Sequence, residues 1–592
     1  MPGARPGEAI VTGSGSISRE DLISRGQLAC PRHCLRTKPL PAPVATACTW
    51  RVPHRAAADF DARLTAILIA TEIDGTLGLT TFEWLIGLLL AAVLLSALSR
   101  RLKVPYPTFL AIGGMLLAFV PSGPSWTLEP DLALALFVAP VLVDAAYDTS
   151  VRDLRDNWLP VSTLVLIAVG LTTAAVAVLV HWLLPDMPWA AAVALGAIVA
   201  PPDATAATAI LRQVKLPYRV LKILEGESLL NDAGALLIYR VAVGAAAVQH
   251  FRWSEFAPSI VLALAGSLLA GYLFARISMP VTRRITDAPS SIIVQFAGTF
   301  TVWIVADRIG LSGILTIVAY AITVARTAPA HTPARLRVPS YAVWETAVFV
   351  LNVLAFVLIG LQLGPIWDRL DDPVRLKYSL IAAAVLGAVI LTRIAWVMSY
   401  NTALRLAIAR RGFHPPRPMA APTLKGGIIM SWCGMRGIVT LAAAFALPEG
   451  FPYRDLILLT AFAVVLGTLV IQGLTLRPLI SALRLKDENP VATEVARARA
   501  IAYRAALDEI NGDRSEAAEI LRLEYGAVLL RAKANPDGGV SSGELPADPL
   551  RRRAIAAARR SIIGLRESED IGDDAFHQLE EEFDWAELSA QG

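Results

Sequence analysis

The stretch LEGESLLNDAGALLIYR, residues 224–240, places acidic side chains in a segment that is otherwise apolar and long enough to cross a bilayer. A carboxylate at membrane depth costs several kcal/mol, so acidic residues there usually pair, bind an ion or carry a proton. In a helix, Glu227 and Asn231 lie on one face, and Ser228 and Asp232 lie on the adjacent strip. The spacing therefore predicts an oxygen-rich patch that can hold a cation or a proton.

The depth of this patch follows from the distance to the nearest basic residue. Lys222 marks the water boundary, and Asp232 lies ten residues further on. Ten residues are about 15 Å of helix, or half of a ~30 Å hydrocarbon core. Removal from water favours the protonated carboxyl group, whereas the ionised form needs a cation, and oxygen ligands suit a small hard one. One site would then hold H⁺ or a cation in turn, which couples the two fluxes.

A second apolar segment contains the motif APPDATAA. Pro201 and Pro202 remove two backbone donors and disfavour helix before them, so they predict a break beside Asp203. In lipid, a broken helix is tolerated where its freed carbonyls are buried in protein or line a water-filled cavity. Because transporter sites are commonly built from discontinuous helices, we favour a binding role for Asp203 over a simple proline kink.

A third segment carries Arg436 between Gly434 and Gly437, again at about half the membrane depth. An unpaired arginine would be costly there, so we expect Arg436 to pair with Glu227 in a structural and electrostatic role. Asp144 also approaches the membrane centre, and for it an ion-binding role and a hydrogen-bonding role both stay open. Three weaker candidates are assigned to internal structural pairs: Arg240, Glu345 and Arg393.

The composition supports a membrane location for all these groups. The chain has 592 residues, of which 55% are hydrophobic and 18% charged, and its mean hydropathy is +0.54. These values indicate a polytopic all-α membrane protein. The net charge of +4 gives no sign of a nucleic-acid partner. We find no convincing nucleophile, metal cluster or phosphate loop in the sequence, so an enzyme is disfavoured and no cofactor is expected.

Hydropathy divides residues 81–485 into thirteen apolar segments. Their bounds are 82–100, 105–121, 131–148, 157–184, 188–212, 219–248, 256–279, 289–307, 310–328, 341–364, 378–408, 424–448 and 454–483. Basic residues follow the odd-numbered segments, as at Arg100, Arg101, Arg283, Arg284, Arg410 and Arg411. The positive-inside rule then places the C-terminus in the cytoplasm and the N-terminus outside.

The two ends of the chain differ from this region. Residues 1–80 lack a long apolar run and a signal-peptide pattern, so we expect a disordered extension, for which an over-long translation start is the simpler account. Residues 486–592 are hydrophilic with helical apolar spacing, which predicts a helical cytoplasmic tail. Segments five and twelve are both interrupted at mid-depth and run in opposite directions, a pattern typical of two inverted repeats.

Taken together, these motifs resemble the monovalent cation/proton antiporters, specifically the sodium/proton exchanger branch with an Asn-Asp motif. The resemblance covers about residues 82–485. Asn231 and Asp232 in GESLLNDA stand as the Asn-Asp pair, Asp203 in APPDATAA stands in the broken-helix motif, and Arg436 in GMRGIVTLAAA stands as the core arginine.

The resemblance implies thirteen transmembrane helices in inverted repeats with two broken crossing helices. It also implies a homodimer in the plasma membrane and elevator-like movement of a core domain. Cation ligation would come from Asp232, Ser228, Asp144 and a backbone carbonyl at the break, where Pro202 stands in place of the family's usual Thr. The expected activity is Na⁺ or Li⁺ exchange for H⁺, electroneutral because Asn231 is neutral. K⁺/H⁺ exchange is the near alternative, and a cation channel is the alternative from a different class.

Overall fold

The computed structural model describes residues 83–102, 104–120, 130–203, 217–247, 253–328, 331–412, 422–484, 490–534, 548–568, 570 and 573–589. Within these ranges every regular element is a helix. Eight helices in the same ranges are long and apolar enough to cross a membrane. The predicted all-α membrane class is therefore confirmed, whereas the count of thirteen crossings stays a prediction. The predicted disordered extension 1–80 lies outside the described residues.

The helices of the first half begin near the predicted segments. In chain order they are α1 (Glu83–Leu102), α2 (Tyr106–Leu117), α3 (Pro130–Ala133), α4 (Ala139–Tyr147), α5 (Val151–Asp156), α6 (Trp158–Ser162), α7 (Val169–Leu183), α8 (Trp189–Val199), α9 (Tyr218–Ala247) and α10 (Trp253–Thr282). Short π-helical stretches join α3 to α4 and α6 to α7, at Leu134–Val138 and Thr163–Ala168.

The second half continues into the tail. Its helices are α11 (Ala288–Arg308), α12 (Gly313–Thr327), α13 (Ala334–Leu361), α14 (Leu363–Asp368), α15 (Asp372–Arg411), α16 (Leu424–Trp432), α17 (Ile438–Phe445), α18 (Arg454–Leu483), α19 (Pro490–Glu509), α20 (Glu516–Ala534), α21 (Asp548–Glu567) and α22 (Asp573–Ser589).

Polar residues in the short breaks fix several helix starts. The side chain of Asp287 accepts a hydrogen bond from the Ser290 N–H at the start of α11, at 2.8 Å. Thr423 accepts one from the Gly426 N–H at the start of α16, at 3.0 Å. Such caps satisfy amide donors that a helix leaves free in its first turn. The same polar breaks that divide the hydropathy pattern therefore also define where helices begin.

Small residues allow the membrane helices to pack closely. At the crossing of α2 and α13, a methyl group added to Gly114 would overlap with the Val357 carbonyl, and one added to Gly360 would overlap with the backbone of α2. A methyl group at Gly196 of α8 would likewise overlap with the Thr173 carbonyl of α7. Without a hydrophobic drive in lipid, such backbone approach supplies van der Waals contact between helices.

Two non-helical stretches of backbone matter for the site. Helix α8 ends at Val199, and residues 200–203 are not helical. Residues 204–216, which include the rest of the predicted fifth segment, lie outside the described part of the chain. In the predicted twelfth segment, residues 433–437 separate α16 from α17. Helix α9, by contrast, runs without interruption.

The tail helices are linked to each other and to the membrane region by ion pairs. Arg152, in α5, lies 2.9 Å from Glu494 of α19, and both side chains are exposed. Arg551 of α21 lies 3.1 Å from Glu524 of α20. Exposed pairs of this kind contribute about 0–1 kcal/mol each. They orient the tail helices more than they stabilise the fold.

Candidate ion-binding site

The two non-helical segments touch each other inside the membrane region. The Asp203 N–H donates a hydrogen bond to the Met435 carbonyl at 2.6 Å. The Asp203 carboxylate lies against the α-carbon of Gly437, so closely that a methyl group there would overlap with it. The predicted motif around Pro202 and Asp203 and the predicted motif around Arg436 therefore meet at one place.

Asp232 lies on the continuous helix α9, which packs against α8, the helix that ends just before Asp203. Its residue is 8% exposed, and the charge of Asp203 is close enough to act on it. Asn231 is fully buried, and its amide has no hydrogen-bond partner among the described residues. Because a buried amide without a partner is costly, Asn231 marks a place where a polar group is needed for something besides packing.

Arg436 is held by backbone carbonyls. Its Nε donates to the Val199 carbonyl at 3.0 Å, and its Nη2 donates to the Ala200 carbonyl at 3.1 Å. It also donates to the carbonyl of Gly434. The predicted direct ion pair between Arg436 and Glu227 is therefore wrong, although the charge of Glu227 acts on Arg436 from a greater distance. The physical reason is that a helix end leaves carbonyls unpaired and carries partial negative charge, so α8 itself can satisfy the guanidinium.

Glu227 pairs instead with Arg393 of α15. Two parallel hydrogen bonds join the guanidinium and the carboxylate, at 2.5 and 2.8 Å, and the two side chains are 3% and 2% exposed. Arg393 Nη2 also donates to the Met430 carbonyl at 3.0 Å, in the last turn of α16. The assignment of Arg393 to a structural pair is confirmed, and its partner is the acidic residue that the sequence assigned to Arg436.

The two arginines thus perform equivalent tasks. Each guanidinium lies at the carboxyl end of a helix that stops inside the protein: Arg436 at the end of α8 and Arg393 at the end of α16. A cation at such an end is favourable because the helix dipole places partial negative charge there. Glu227 is thereby neutralised by Arg393, and the carbonyls at both helix ends have cationic donors.

Replacement of Arg436 by Ala should destabilise this arrangement. The carbonyls of Val199 and Ala200 would lose their donors in a buried place, and we expect a loss of about 2–3 kcal/mol in the free energy of unfolding. Thermal unfolding of the purified protein in detergent measures this loss, and cation-driven proton flux in proteoliposomes should fall with it.

Arg454 supplies a matched control for Arg436. It also donates to carbonyls at and just after the end of α17, to Phe445 at 3.5 Å and to Leu447 at 3.1 Å, but it is partly exposed. Water can replace its donors, so we expect Arg454→Ala to change the unfolding free energy by less than about 1 kcal/mol. Normal unfolding and normal transport in Arg436→Ala would contradict the role assigned to Arg436.

Two further predicted ligands lie on α9 itself and on a helix that packs against α9. Ser228 lies on α9 one turn before Asp232 and is partly exposed. Asp144 lies on α4, which packs against α9 in a cluster that includes Leu142 and Leu229. Within the described ranges, no three side chains of His, Cys, Asp or Glu converge closely enough to hold a metal ion. Ligation by Ser228, Asp144 and the Pro202 carbonyl stays a prediction.

Three further residues take part in the arrangement. Thr468 of α18 accepts a hydrogen bond from the Arg436 N–H at 3.0 Å, Gly437 leaves room for Asp203, and Arg393 neutralises Glu227. The position of Arg393 near the middle of a long apolar segment could have identified it from the sequence as a buried, paired residue. Thr468 carries no such signal, because hydroxyl residues are common in membrane helices.

Buried carboxylates beside interrupted membrane helices are typical of secondary transporters. Comparison with known proteins makes this class more specific. Residues 88–482 match the family model for the transmembrane region of sodium/hydrogen exchangers. The chain therefore belongs to the sodium/hydrogen exchanger family.

Individual relatives agree with this membership. The chain is 30% identical to a sodium, potassium, lithium and rubidium/H⁺ antiporter of Bacillus pumilus, over 82% of this chain and 74% of that one. It is 28% identical to the Na⁺/H⁺ antiporter NhaS2 of Synechocystis, over 72% and 75% of the two chains. The structure of the sodium proton antiporter MjNhaP1 from Methanocaldococcus jannaschii matches with a TM-score of 0.53 at 16% identity, covering 66% of this chain and 98% of that one. That likeness concerns the fold alone.

Proposed function

We propose that this protein exchanges Na⁺ or Li⁺ for H⁺ across the plasma membrane, one for one, by alternating access at Asp232. The observation that carries the proposal is the burial of Asp232 on α9, within the electrostatic reach of Asp203, whose backbone is hydrogen-bonded to the non-helical segment 433–437. Family membership supports the same class of activity. The protein would thereby serve sodium transport and pH homeostasis.

The coupling follows from the chemistry of a buried carboxyl group. A bare carboxylate is costly away from water, so Asp232 is expected to cross the barrier either protonated or with a cation bound. The same oxygens serve both loads, and therefore the protein carries one or the other. Arg393 and Arg436 do not compete for Asp232, because Glu227 and backbone carbonyls already hold them. Neutral Asn231 supports a stoichiometry of one cation per proton.

The ligand set proposed for the cation consists of oxygen atoms around Asp232. They are the Asp232 carboxylate, the Ser228 hydroxyl, a main-chain carbonyl at Pro202, and Asp144. We further propose thirteen transmembrane helices in inverted repeats, a homodimer, an external N-terminus and a cytoplasmic C-terminus. A core that includes α8, α9, α16 and α17 would move in an elevator-like manner to expose the site to each side in turn.

K⁺ is the second candidate for the exchanged cation. The name of the Bacillus pumilus relative includes potassium and rubidium, whereas that of the Synechocystis relative includes sodium alone. Oxygen ligands accept either ion, and selection depends on the size of the cavity and on ligand number. Ion preference is therefore decided by measurement on this protein.

Proton flux in proteoliposomes tests the proposal. Vesicles carrying an internal pH dye and a preformed pH gradient receive Na⁺, Li⁺, K⁺ or Rb⁺ outside. We expect Na⁺ and Li⁺ to dissipate the gradient, K⁺ and Rb⁺ to have little effect, and protein-free vesicles to show no response. An equal response to K⁺ would establish the alternative cation, and the absence of any cation-dependent proton flux would contradict exchange.

A second arm of this experiment separates exchange from conduction. With the membrane potential set by an ionophore, a one-for-one exchanger works at the same rate at every voltage, because no net charge crosses. A rate that changes with voltage would contradict the proposed stoichiometry. Cation conductance without proton counter-transport would identify a channel instead.

A further inference from the structure

Gly437, in the non-helical segment 433–437, is in contact with the side chain of Asp203. A methyl group built on its α-carbon would overlap with Oδ2 and Cγ of Asp203 and would lie 2.8 Å from Cβ of Asp203. The backbone of Gly437 is extended, with φ −139° and ψ −151°, a conformation that other residues also adopt. Space for the Asp203 side chain, and not backbone conformation, therefore calls for glycine at this position.

Hydrogen bonds hold the backbone on each side of this contact. The Asp203 N–H donates to the Met435 carbonyl, two residues before Gly437, at 2.6 Å. On the other side, the Arg436 N–H donates to Thr468 Oγ1 at 3.0 Å, and the Arg436 guanidinium donates to the carbonyl of Val199. A larger residue at 437 cannot be accommodated by moving either backbone without breaking one of these bonds. The added methyl group would therefore displace the Asp203 side chain, whose carboxylate it meets first.

We propose that Gly437 is a positioning residue, which sets the place of the Asp203 carboxylate relative to Asp232 and thereby the cation affinity of the site. The inference rests on the proposed function, because it assigns Asp203 to the same site as Asp232. The contact also defines the register of the two interrupted segments, since residues 435 and 437 both meet Asp203. A displaced carboxylate weakens a charged interaction with the cation, whereas the titratable Asp232 itself stays in place.

The variant Gly437→Ala tests this inference, with Gly387→Ala as the matched control. Gly387 lies in membrane helix α15, and a methyl group added there meets nothing within 4 Å. We expect Gly437→Ala to raise the apparent KM for Na⁺ or Li⁺ by about 10-fold or more, because a misplacement of about 1 Å at a binding group has effects of that size or larger. The maximal rate should change much less than KM, and Gly387→Ala should leave both unchanged.

The background Asp203→Gly identifies the source of the effect. Removal of the Asp203 side chain removes the overlap, so adding Gly437→Ala to this background should leave the melting temperature unchanged. In the wild-type background the same substitution should lower it. If Gly437→Ala alone fails to fold, the double variant should recover folding. An equal drop in melting temperature in both backgrounds, or no recovery of folding, would overturn the proposal.

The outcomes also separate this inference from the proposed function. A wild-type KM in Gly437→Ala, together with loss of exchange in Asp232→Asn, would refute the role of Gly437 and leave the exchange mechanism intact. Absence of exchange in the wild-type protein would refute the proposed function itself. In that case, if Gly437→Ala lowered the melting temperature only when Asp203 is present, Gly437 would have only a packing role.

Discussion

Replacement of Asp232 by Asn abolishes cation–proton exchange in the mechanism proposed for this protein. Asparagine has nearly the same size, but it neither releases a proton nor offers a negative charge to a cation. Loss of a charged ligand interaction worth about 3 kcal/mol corresponds to roughly 100-fold weaker binding, and loss of the titratable group removes the coupling altogether. We therefore expect a decrease of at least about 100-fold in Na⁺-driven proton flux in proteoliposomes.

Asp307→Asn is the matched control for this substitution. Asp307 lies in the last turn of α11 and forms a pair with Arg240 at 3.1 Å, in which both side chains are about half exposed. The same chemical change there should leave exchange close to the wild-type rate, because exposed pairs contribute little. Monodisperse elution and an unchanged melting profile establish that Asp232→Asn is folded. A folded Asp232→Asn protein that still exchanges ions would remove Asp232 from the mechanism.

Hydropathy located some helices of the membrane region closely and others less well, since α13 and α15 begin at Ala334 and Asp372, before their predicted starts at 341 and 378. Helix α9 begins within a residue of its predicted start, and α18 has the predicted bounds. Apolar runs and polar breaks carry this information because lipid requires every spanning backbone to satisfy its own hydrogen bonds. The π-helical stretches Leu134–Val138 and Thr163–Ala168 were not predicted, since they insert an extra residue per turn without a change in composition.

Hydropathy could not predict which of the two buried arginines pairs with Glu227. The sequence places Arg393 and Arg436 at similar depth, and depth alone allows either to face Glu227. The choice depends on how α9, α15 and α16 pack, which periodicity within one helix does not determine. The error came from treating a carboxylate as the necessary partner of a buried arginine. At an interrupted helix, unpaired carbonyls serve as partners equally well.

The relation between the two non-helical segments, which carry Asp203 and Arg436, was predicted in outline only. Proline and glycine near Asp203 and Arg436 indicated interruptions, and the structure brings these residues into contact. The reason for glycine at position 437 could not be read from its neighbours, because the atom that excludes a side chain there belongs to Asp203 in a distant part of the chain. Local sequence thus indicates where a site can form, and tertiary packing decides its geometry.

Replacement of Arg393 by Met should have the largest effect on stability of any change described. Glu227 would stay buried with no cation to neutralise it, and the Met430 carbonyl would lose its donor. Breaking a buried pair by removing one partner typically costs about 3–5 kcal/mol, because the remaining charge is uncompensated. We expect a marked fall in the melting temperature and in the folded fraction recovered in detergent.

A double-mutant cycle with Glu227 shows whether the uncompensated charge of Glu227 causes the loss of stability in Arg393→Met. Adding Glu227→Gln to Arg393→Met removes the uncompensated charge, so it should recover at least about half of the lost free energy, with the remainder due to the Met430 carbonyl. Arg240→Met breaks an exposed pair and should cost less than about 1 kcal/mol. If Arg393→Met were no more destabilising than Arg240→Met, or if Glu227→Gln made it worse, the ion pair could not be what holds α9 against α15.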